Sequence, residues 1–320
     1  MTDDVLFLSG PQVTRLLDAD TAIASQRAAF TALGSGTADL PAKIMHPSRF
    51  DDSVVFAYVS RLSADSGAVA KFGSVNPGNA AAGLPTIHAV VSVLDPVTGR
   101  LTAVMDGAAV TTLRTAAASA VAVDALATPD STDLAVLGSG TQALAHVRAI
   151  AQVRNLTSVR LWSPTARNSA RAAETLAELG LPAEAAGSAE EAVSGASLVA
   201  ACTLSTTPVV HGEWLAPGCT VVSVGSFEPT RREVDTDVLR RSAAVVVDDP
   251  ATAAEHAGPV VDALRTGLLT DLVGLGDVLT GRAVARTAPG DIVYYNSVGL
   301  GIQDAAAAWA VVQAAKGERR

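Results

Sequence analysis

The chain has 320 residues, 49% of them hydrophobic and 17% charged, with a formal net charge of −9 at pH 7. This is a globular composition with enough apolar material for two domains, and it excludes a disordered chain. The negative balance argues against nucleic acid or an anionic membrane as main partner, though not against a small anion, which a few cations in a cleft can hold.

The first 35 residues read as two helices, with Ser9 capping the first, Pro11 in its opening turn, and Asp20 capping the second over Thr21–Leu33. From Ala42 to Met105 the pattern is β. The runs Val54–Val59, Ala68–Val75, Ile87–Leu94 and Leu101–Met105 are separated by turn residues such as Asp95–Gly99. An Ala-rich helix follows over Ala108–Ala127, and Pro129 begins a linker. Beyond it strands at Leu134–Leu137, Val159–Trp162, Leu198–Cys202, Cys219–Val224 and Ala244–Val247 alternate with helices at Gln142–Gln152, Thr165–Leu179 and Ala189–Val193. Such alternation implies a doubly wound parallel sheet of Rossmann type. A strand at Asp291–Tyr295 and a helix at Gly299–Ala315 close the chain. The expected organisation is α/β: an α+β domain over residues 1–130, completed by 296–320, and a dinucleotide-binding domain over 131–295.

Cys202 and Cys219 lie in apolar strand-like runs and read as buried free thiols. The five histidines are scattered without ligand spacing, so no metal is expected. No N-terminal signal pattern or long apolar span is evident, which leads to the expectation of a cytoplasmic protein.

Leu134–Leu137 runs directly into Gly138-Ser139-Gly140-Thr141-Gln142-Ala143 and then into a helix. In that context the glycine fingerprint has a mechanism. Gly138 permits the tight turn, Gly140 lets a pyrophosphate approach the backbone, Ala143 lets the helix pack closely, and the first helical N–H groups face the anion. A fold of this kind that prefers NAD carries an Asp or Glu at the end of its second strand, roughly 20 residues after the glycines. Here no carboxylate occurs between Asn155 and Arg171, and Ser163, Thr165 and Arg167 stand in its place. Two hydroxyls and a guanidinium suit a 2′-phosphate, so NADP(H) is the expected cofactor, with NAD(H) possible. Ser163 can also cap the following helix, with Pro164 at its first position.

Four further clusters carry candidate chemistry. Lys71 is flanked by apolar residues on a strand and either snorkels to the surface or is held in a cleft as a cation. Gly83–His88 is a turn entering a strand, where His88 reads as a core histidine. Arg114 lies on a helix, where a surface arginine is the default reading, but Ala116, Ala117 and Ala118 leave room for a phosphate or carboxylate against its guanidinium. Val224–Asp235 and Asn296–Gly299 follow strands of the parallel sheet, where ligand-bearing loops belong.

The pieces "KFGSVNPGN", "GLPTIHAVVSVLDPVTG", "MDGAAVTTLRTAAASAVA", "LGSGTQA", "VGSFEPTRREVD", "LGDVLTG" and "NSVGLGIQD" together resemble the ornithine cyclodeaminase/μ-crystallin family over nearly the whole chain. The resemblance implies a homodimer whose N-terminal domain supplies both the interface and the substrate wall, with the nicotinamide between the domains. It implies that Lys71 and Arg114 bind the substrate carboxylate. Lys43 stands where many members have an arginine; it keeps the charge and loses the fork. It also implies cofactor contacts at Thr86, Arg114, Gly138, Gly140, Thr141, Gln142, Thr203, Leu204, Ser205, Val224, Gly225, Ser226 and Ser297, and substrate contacts at Phe227, Glu228 and Val298.

The cyclodeaminases have an aspartate in the loop that "VGSFEP" matches, and here Phe227 occupies that position and cannot take a proton. Glu228 replaces it only if the loop is shifted by one. Members lacking the aspartate resemble imine reductases. The expected activity is therefore NAD(P)H-dependent reduction of ketimine carboxylates such as pyrroline- or piperideine-2-carboxylate, or the reverse amino-acid dehydrogenation. The alternatives are an ornithine-type cyclodeaminase using NAD+ catalytically and a non-catalytic protein that binds NADPH and a small ligand.

Overall fold

Period-two alternation writes the first sheet, and its buried face is where the candidate cations lie. The computed structural model describes residues 5–318 and divides into two compact units, one running to Arg114 and resuming at Leu300, the other Thr115–Gly299. The first begins with β1 (Leu6–Leu8), α1 (Gly10–Leu16) and α2 (Ala19–Gly34), followed by β2 (Ile44–Pro47), β3 (Val54–Ser60), β4 (Val69–Val75), β5 (Ile87–Leu94) and β6 (Leu101–Asp106). The strands form one sheet in the order β1-β6-β5-β4-β3-β2. Neighbours are antiparallel except β1, which runs parallel to β6.

On one face Phe56, Val69, Lys71, Val91, Val93, Ala103 and Met105 are buried. The C-terminal helix (Gly301–Glu318) packs on β3 and β4 and against α2. It is apolar nearly all round, with Ala305–Ala308 buried, as a core helix must be. On the other face Ile44, Val55, Val59 and Phe72 are exposed, as is Phe7 on the edge strand.

The helix α3 (Gly107–Leu126) leads into the second unit, where Asp106 Oδ1 accepts the Ala109 N–H at its first turn. There the chain forms β7 (Asp133–Leu137), α4 (Thr141–Ile150), β8 (Ser158–Trp162), α5 (Ala166–Glu178), β9 (Ala183–Ala185), α6 (Ala189–Val193), β10 (Leu198–Ala201) and β11 (Thr220–Ser223). It continues through α7 (Thr236–Arg241), β12 (Ser242–Val247), α8 (Pro250–His256), α9 (Gly258–Arg265), β13 (Val273–Gly274), α10 (Leu275–Leu279) and β14 (Ile292–Asn296). All eight strands are parallel, in the order β13-β12-β14-β11-β10-β7-β8-β9. Strands laid down after β7 go to one side as far as β9 and then to the other from β10. That reversal makes the sheet a doubly wound Rossmann sheet with its switch point between β7 and β10.

Several expectations need correction. The cap of α2 is Asp18, whose side chain accepts the Thr21 N–H at 2.8 Å, so the helix starts two residues earlier than an Asp20 cap allows. The start of α5 shifts the other way: Thr165 is its N-cap, and the Ser163 hydroxyl donates to Thr165 O instead of capping. His88 is exposed, because strand alternation puts Ile87 and Ala89 on the opposite face. The unit boundary falls inside α3, not at Pro129. The later turns of α3 are tied into the second unit, through Ser119 to His146 at 2.8 Å and Val123 O to Arg154 at 3.0 Å. That same helix is long and apolar enough to cross a membrane by length and composition, contrary to the expectation of no such span, and it is mostly buried in the fold.

Gly138 closes β7 with φ +123°, and a Cβ there would stand 2.6 Å from the Cys202 carbonyl oxygen. Gly138→Ala is expected to destabilise the protein by about 1–3 kcal/mol, the range for a strained backbone residue. Chemical denaturation checks this, and an unchanged midpoint and slope would contradict it.

Candidate functional site

In the first unit, strand alternation turns Lys71 of β4 inward, and it is 3% exposed. A lone buried ammonium is costly, and this one is not alone. Its Nζ lies 2.7 Å from Asp304 Oδ2, on the first turn of the C-terminal helix, and 4.7 Å from the centre of the Tyr58 ring. Arg114, near the middle of α3, places Nε 3.1 Å from Asp304 Oδ1 and donates through Nη1 to Gln303 Oε1 at 3.1 Å. Gln303 Oε1 also accepts the Leu300 N–H at 2.7 Å, which fixes the amide. Asp304 is therefore shared between two cations, all three nearly fully buried. Lys43, just before β2, faces the same Tyr58 ring at 6.0 Å.

Burial pushes the Lys71 ammonium down to about 8, with the charges of Arg114 and Lys43 acting in the same direction, while the Asp304 carboxylate holds it up. The cluster thus carries more positive than negative charge in a water-poor setting, the composition of a receptor for one further carboxylate. Thr86 is half-buried in the bend before β5, where its carbonyl accepts the Asn76 N–H.

In the second unit the fingerprint has the expected shape. The Gly138 N–H donates to Trp162 O at 2.7 Å, tying the ends of β7 and β8 together. Gly140 is the N-cap of α4 and has open space where a Cβ would stand, and Ala143 is fully buried. Thr141 is exposed on the first turn, and the Gln142 side-chain oxygen is buried without a hydrogen-bond partner. Free first-turn N–H groups beside the open space at Gly140 fit a nucleotide phosphate, and the Gln142 oxygen can accept from a ribose hydroxyl. His146, fully buried on the same helix, is pushed down to about 4 by burial. Gln142 O can only accept, so Nδ1–H donates to it at 2.7 Å and Nε2 accepts from the Ser119 hydroxyl at 2.8 Å.

The loops after β10 and β11 converge on Glu233. One carboxylate oxygen accepts the Thr203 N–H at 2.5 Å and the Thr203 hydroxyl at 2.8 Å. The other accepts the Ser223 hydroxyl and the Gly225 N–H, both at 2.7 Å. Gly225 is required there, since a Cβ would meet Thr203 O at 1.9 Å. Val224 and Ser226 are buried beside it, Ser205 donates its N–H to Thr203 Oγ1, and Leu204 projects outward. The loop after β14 is held likewise by buried Asp248, which accepts Ser297 Oγ at 2.9 Å, Val298 N at 2.9 Å and Gly299 N at 2.8 Å.

Residues 4–319 match the model of the ornithine cyclodeaminase/mu-crystallin family. The chain belongs to that family. Among its relatives, the ketimine reductase mu-crystallin of Mus musculus is 34% identical over 72% of this chain and 71% of its own length. The Δ1-pyrroline-2-carboxylate reductase of Thermococcus litoralis, solved with NADH and L-proline, superposes with TM-score 0.94 at 28% identity over 98% of both chains. An archaeal alanine dehydrogenase dimer with bound NAD gives TM-score 0.92 at 29% identity, covering 99% of this chain and 97% of that one.

Within this family member, Phe227 is half-buried, with the Arg231 guanidinium 4.9 Å over its ring. Glu228 is committed to Arg231 at 3.0 Å. A carboxylate already paired with a guanidinium is a poor stand-in for a free base at the neighbouring position. Ser163 is buried, whereas Thr165 and Arg167 are exposed at the start of α5.

Sequence reasoning missed Asp304, Glu233 and Asp248. The first two stood inside quoted motifs, "GIQD" and "TRREVD", and no local pattern says that a carboxylate will be buried. Removing Asp304 leaves two buried cations facing each other, so Asp304→Ala is expected to cost about 3–5 kcal/mol of stability, the range for breaking a buried ion pair. Urea unfolding measures this, and a loss below 1 kcal/mol would mean the cluster is solvated.

Proposed function

We propose that this chain is an NAD(P)H-dependent reductase of ketimine carboxylates, of the pyrroline- or piperideine-2-carboxylate kind, also able to run in reverse as an amino-acid dehydrogenase. The observation that carries the reading is the buried cluster in which Lys71 and Arg114 share Asp304 beside Lys43. Arg114 offers a planar donor fork, and Lys71 and Lys43 offer point charges, so a substrate carboxylate is held by charge-assisted hydrogen bonds. Relatives named for ketimine and pyrroline-2-carboxylate reduction support the same substrate class.

When bound, the dinucleotide supplies the hydride that turns the C=N carbon into CH–NH. Gly138, Gly140, Thr141 and Gln142 would hold its pyrophosphate, with Thr203, Leu204, Ser205, Val224, Gly225, Ser226 and Ser297 on the neighbouring loops. Thr86 is taken as a further cofactor contact. Thr165 and Arg167 favour NADP(H) over NAD(H), because a 2′-phosphate finds a hydroxyl and a guanidinium there and meets no carboxylate, while the Ser163 hydroxyl is given to Thr165 O and shapes the turn. The Lys71 ammonium, pushed down to about 8, holds the carboxylate and can give a proton to the imine nitrogen. Phe227 offers no base, and Glu228 is paired, so nothing at that loop manages the amine loss of a cyclodeaminase; Phe227, Glu228 and Val298 are taken as substrate contacts. The exposed apolar face carrying Val55, Val59 and Phe72 suits a second copy of the chain, and an archaeal relative is described as a dimer.

The test is an assay with pyrroline-2-carboxylate, in which one NADPH is oxidised per imine consumed and NADPH binds at least about tenfold tighter than NADH, or 1.4 kcal/mol. Because the working form of Lys71 is protonated below its folded value, kcat/KM should fall as pH rises through about 8. Ammonia released from ornithine with no net change in NAD+ would overturn the reductase reading, and equal dissociation constants would overturn the cofactor preference.

A further inference from the structure

Glu233 is fully buried, and its side chain does nothing in the reaction just described. Each carboxylate oxygen accepts two hydrogen bonds, so its four lone-pair positions are filled: by Thr203 N and Oγ1 on one side, by Ser223 Oγ and Gly225 N on the other. Its backbone completes the knot. The Glu233 N–H donates to Ser226 Oγ, and its carbonyl accepts the N–H groups of Val209 and Val210. The loops so joined follow β10 and β11, at the carboxyl ends of strands beside the switch point of the parallel sheet. Only an ionised carboxylate can accept all four donors, since a proton on either oxygen takes one position away.

We propose that Glu233 is a positioning residue for the dinucleotide: its ionised side chain sets the Thr203–Ser205 and Gly225–Ser226 loops in their binding conformation, so dinucleotide affinity depends on its ionisation. The proposal rests on the dinucleotide reading above. Burial pushes the Glu233 carboxyl up to about 7, against the pull of its hydrogen bonds, so the switch falls in the physiological range. The groups facing it do not compete there. Cys202 is pushed well up by burial and by the Glu233 charge, Tyr294 of β14 is pushed up by burial, and Arg232 is paired with Asp262. His211, on the segment that follows Val210, pairs with Asp235.

The sign follows from the raised value. Keeping Glu233 ionised costs folded-state stability, and that cost appears as pH rises through about 7. Glu233→Gln keeps the shape, never ionises, and turns an NH2 group toward one pair of donors. At pH 8 the variant should bind NADH about tenfold more weakly, a loss larger than any change in its melting temperature accounts for. NADH is the probe because it lacks the 2′-phosphate, which itself titrates near pH 6. Fluorescence titration from pH 6 to 8 should show parent affinity rising with pH and a flat profile for Glu233→Gln. Parent and variant with equal affinities and parallel profiles would overturn the proposal. A variant weakened only in step with a lowered melting temperature would reduce Glu233 to a structural residue and overturn it too. A parent that binds neither NADH nor NADPH would instead overturn the dinucleotide reading on which it rests.

Discussion

Lys71 and Arg114 can occupy the interior of the first unit because one carboxylate, Asp304, lies between them, and the chemistry proposed for the protein depends on that sharing. Two buried cations without a counter-charge would repel each other and pay for lost hydration. Two cations with two carboxylates would be neutral and indifferent to substrate. A single aspartate leaves the cluster stable enough to fold and still positive. The geometry is set by secondary structure: a strand residue, a helix residue and the first turn of a second helix, each on a rigid element. Gln303, pinned by Leu300 N, keeps the guanidinium from rotating away.

The same device recurs in the second unit with the charges rearranged. Glu233 and Asp248 are buried acids whose oxygens are filled by N–H and hydroxyl donors from loops at the carboxyl ends of parallel strands. Loops at that end of the sheet carry ligands, but a loop with spare backbone donors has no fixed shape of its own. An internal carboxylate supplies the missing acceptors and fixes the loop before any ligand arrives. Preorganised loops bind with less ordering cost, which is the benefit set against the desolvation of the acid.

The broad architecture was legible because it is local. Apolar runs punctuated by turns gave the strands β3 to β6 and most of the parallel sheet, and the strand–glycine–helix order around Gly138 located the fingerprint. The three-residue β1, the two-residue β13 and the short β9 were not legible, since their pairing depends on partners distant in sequence. Helix starts slipped by two residues where two cap residues compete, as at Asp18 and Asp20. Lys71 and Arg114 stood out as charges in apolar or small surroundings, and the structure brings them together. Asp304 did not stand out, because the residues around it suit a buried helix as well as a binding site, and only tertiary contact tells the two apart. The segment Asn296–Gly299 was read from its place after a strand, and Ser297 and Val298 within it from the family resemblance, while the acid that holds those two is 49 and 50 residues away.

The claim that the buried cations read a substrate carboxylate is tested most directly by removing that carboxylate from the substrate. With NADPH saturating, kcat/KM for pyrroline-2-carboxylate is to be compared with that for the bare cyclic imine, Δ1-pyrroline. The account predicts a loss of at least about 100-fold for the bare imine, within the 2–5 kcal/mol expected when a buried charged partner is left unpaired. Equal values for the two imines would contradict it.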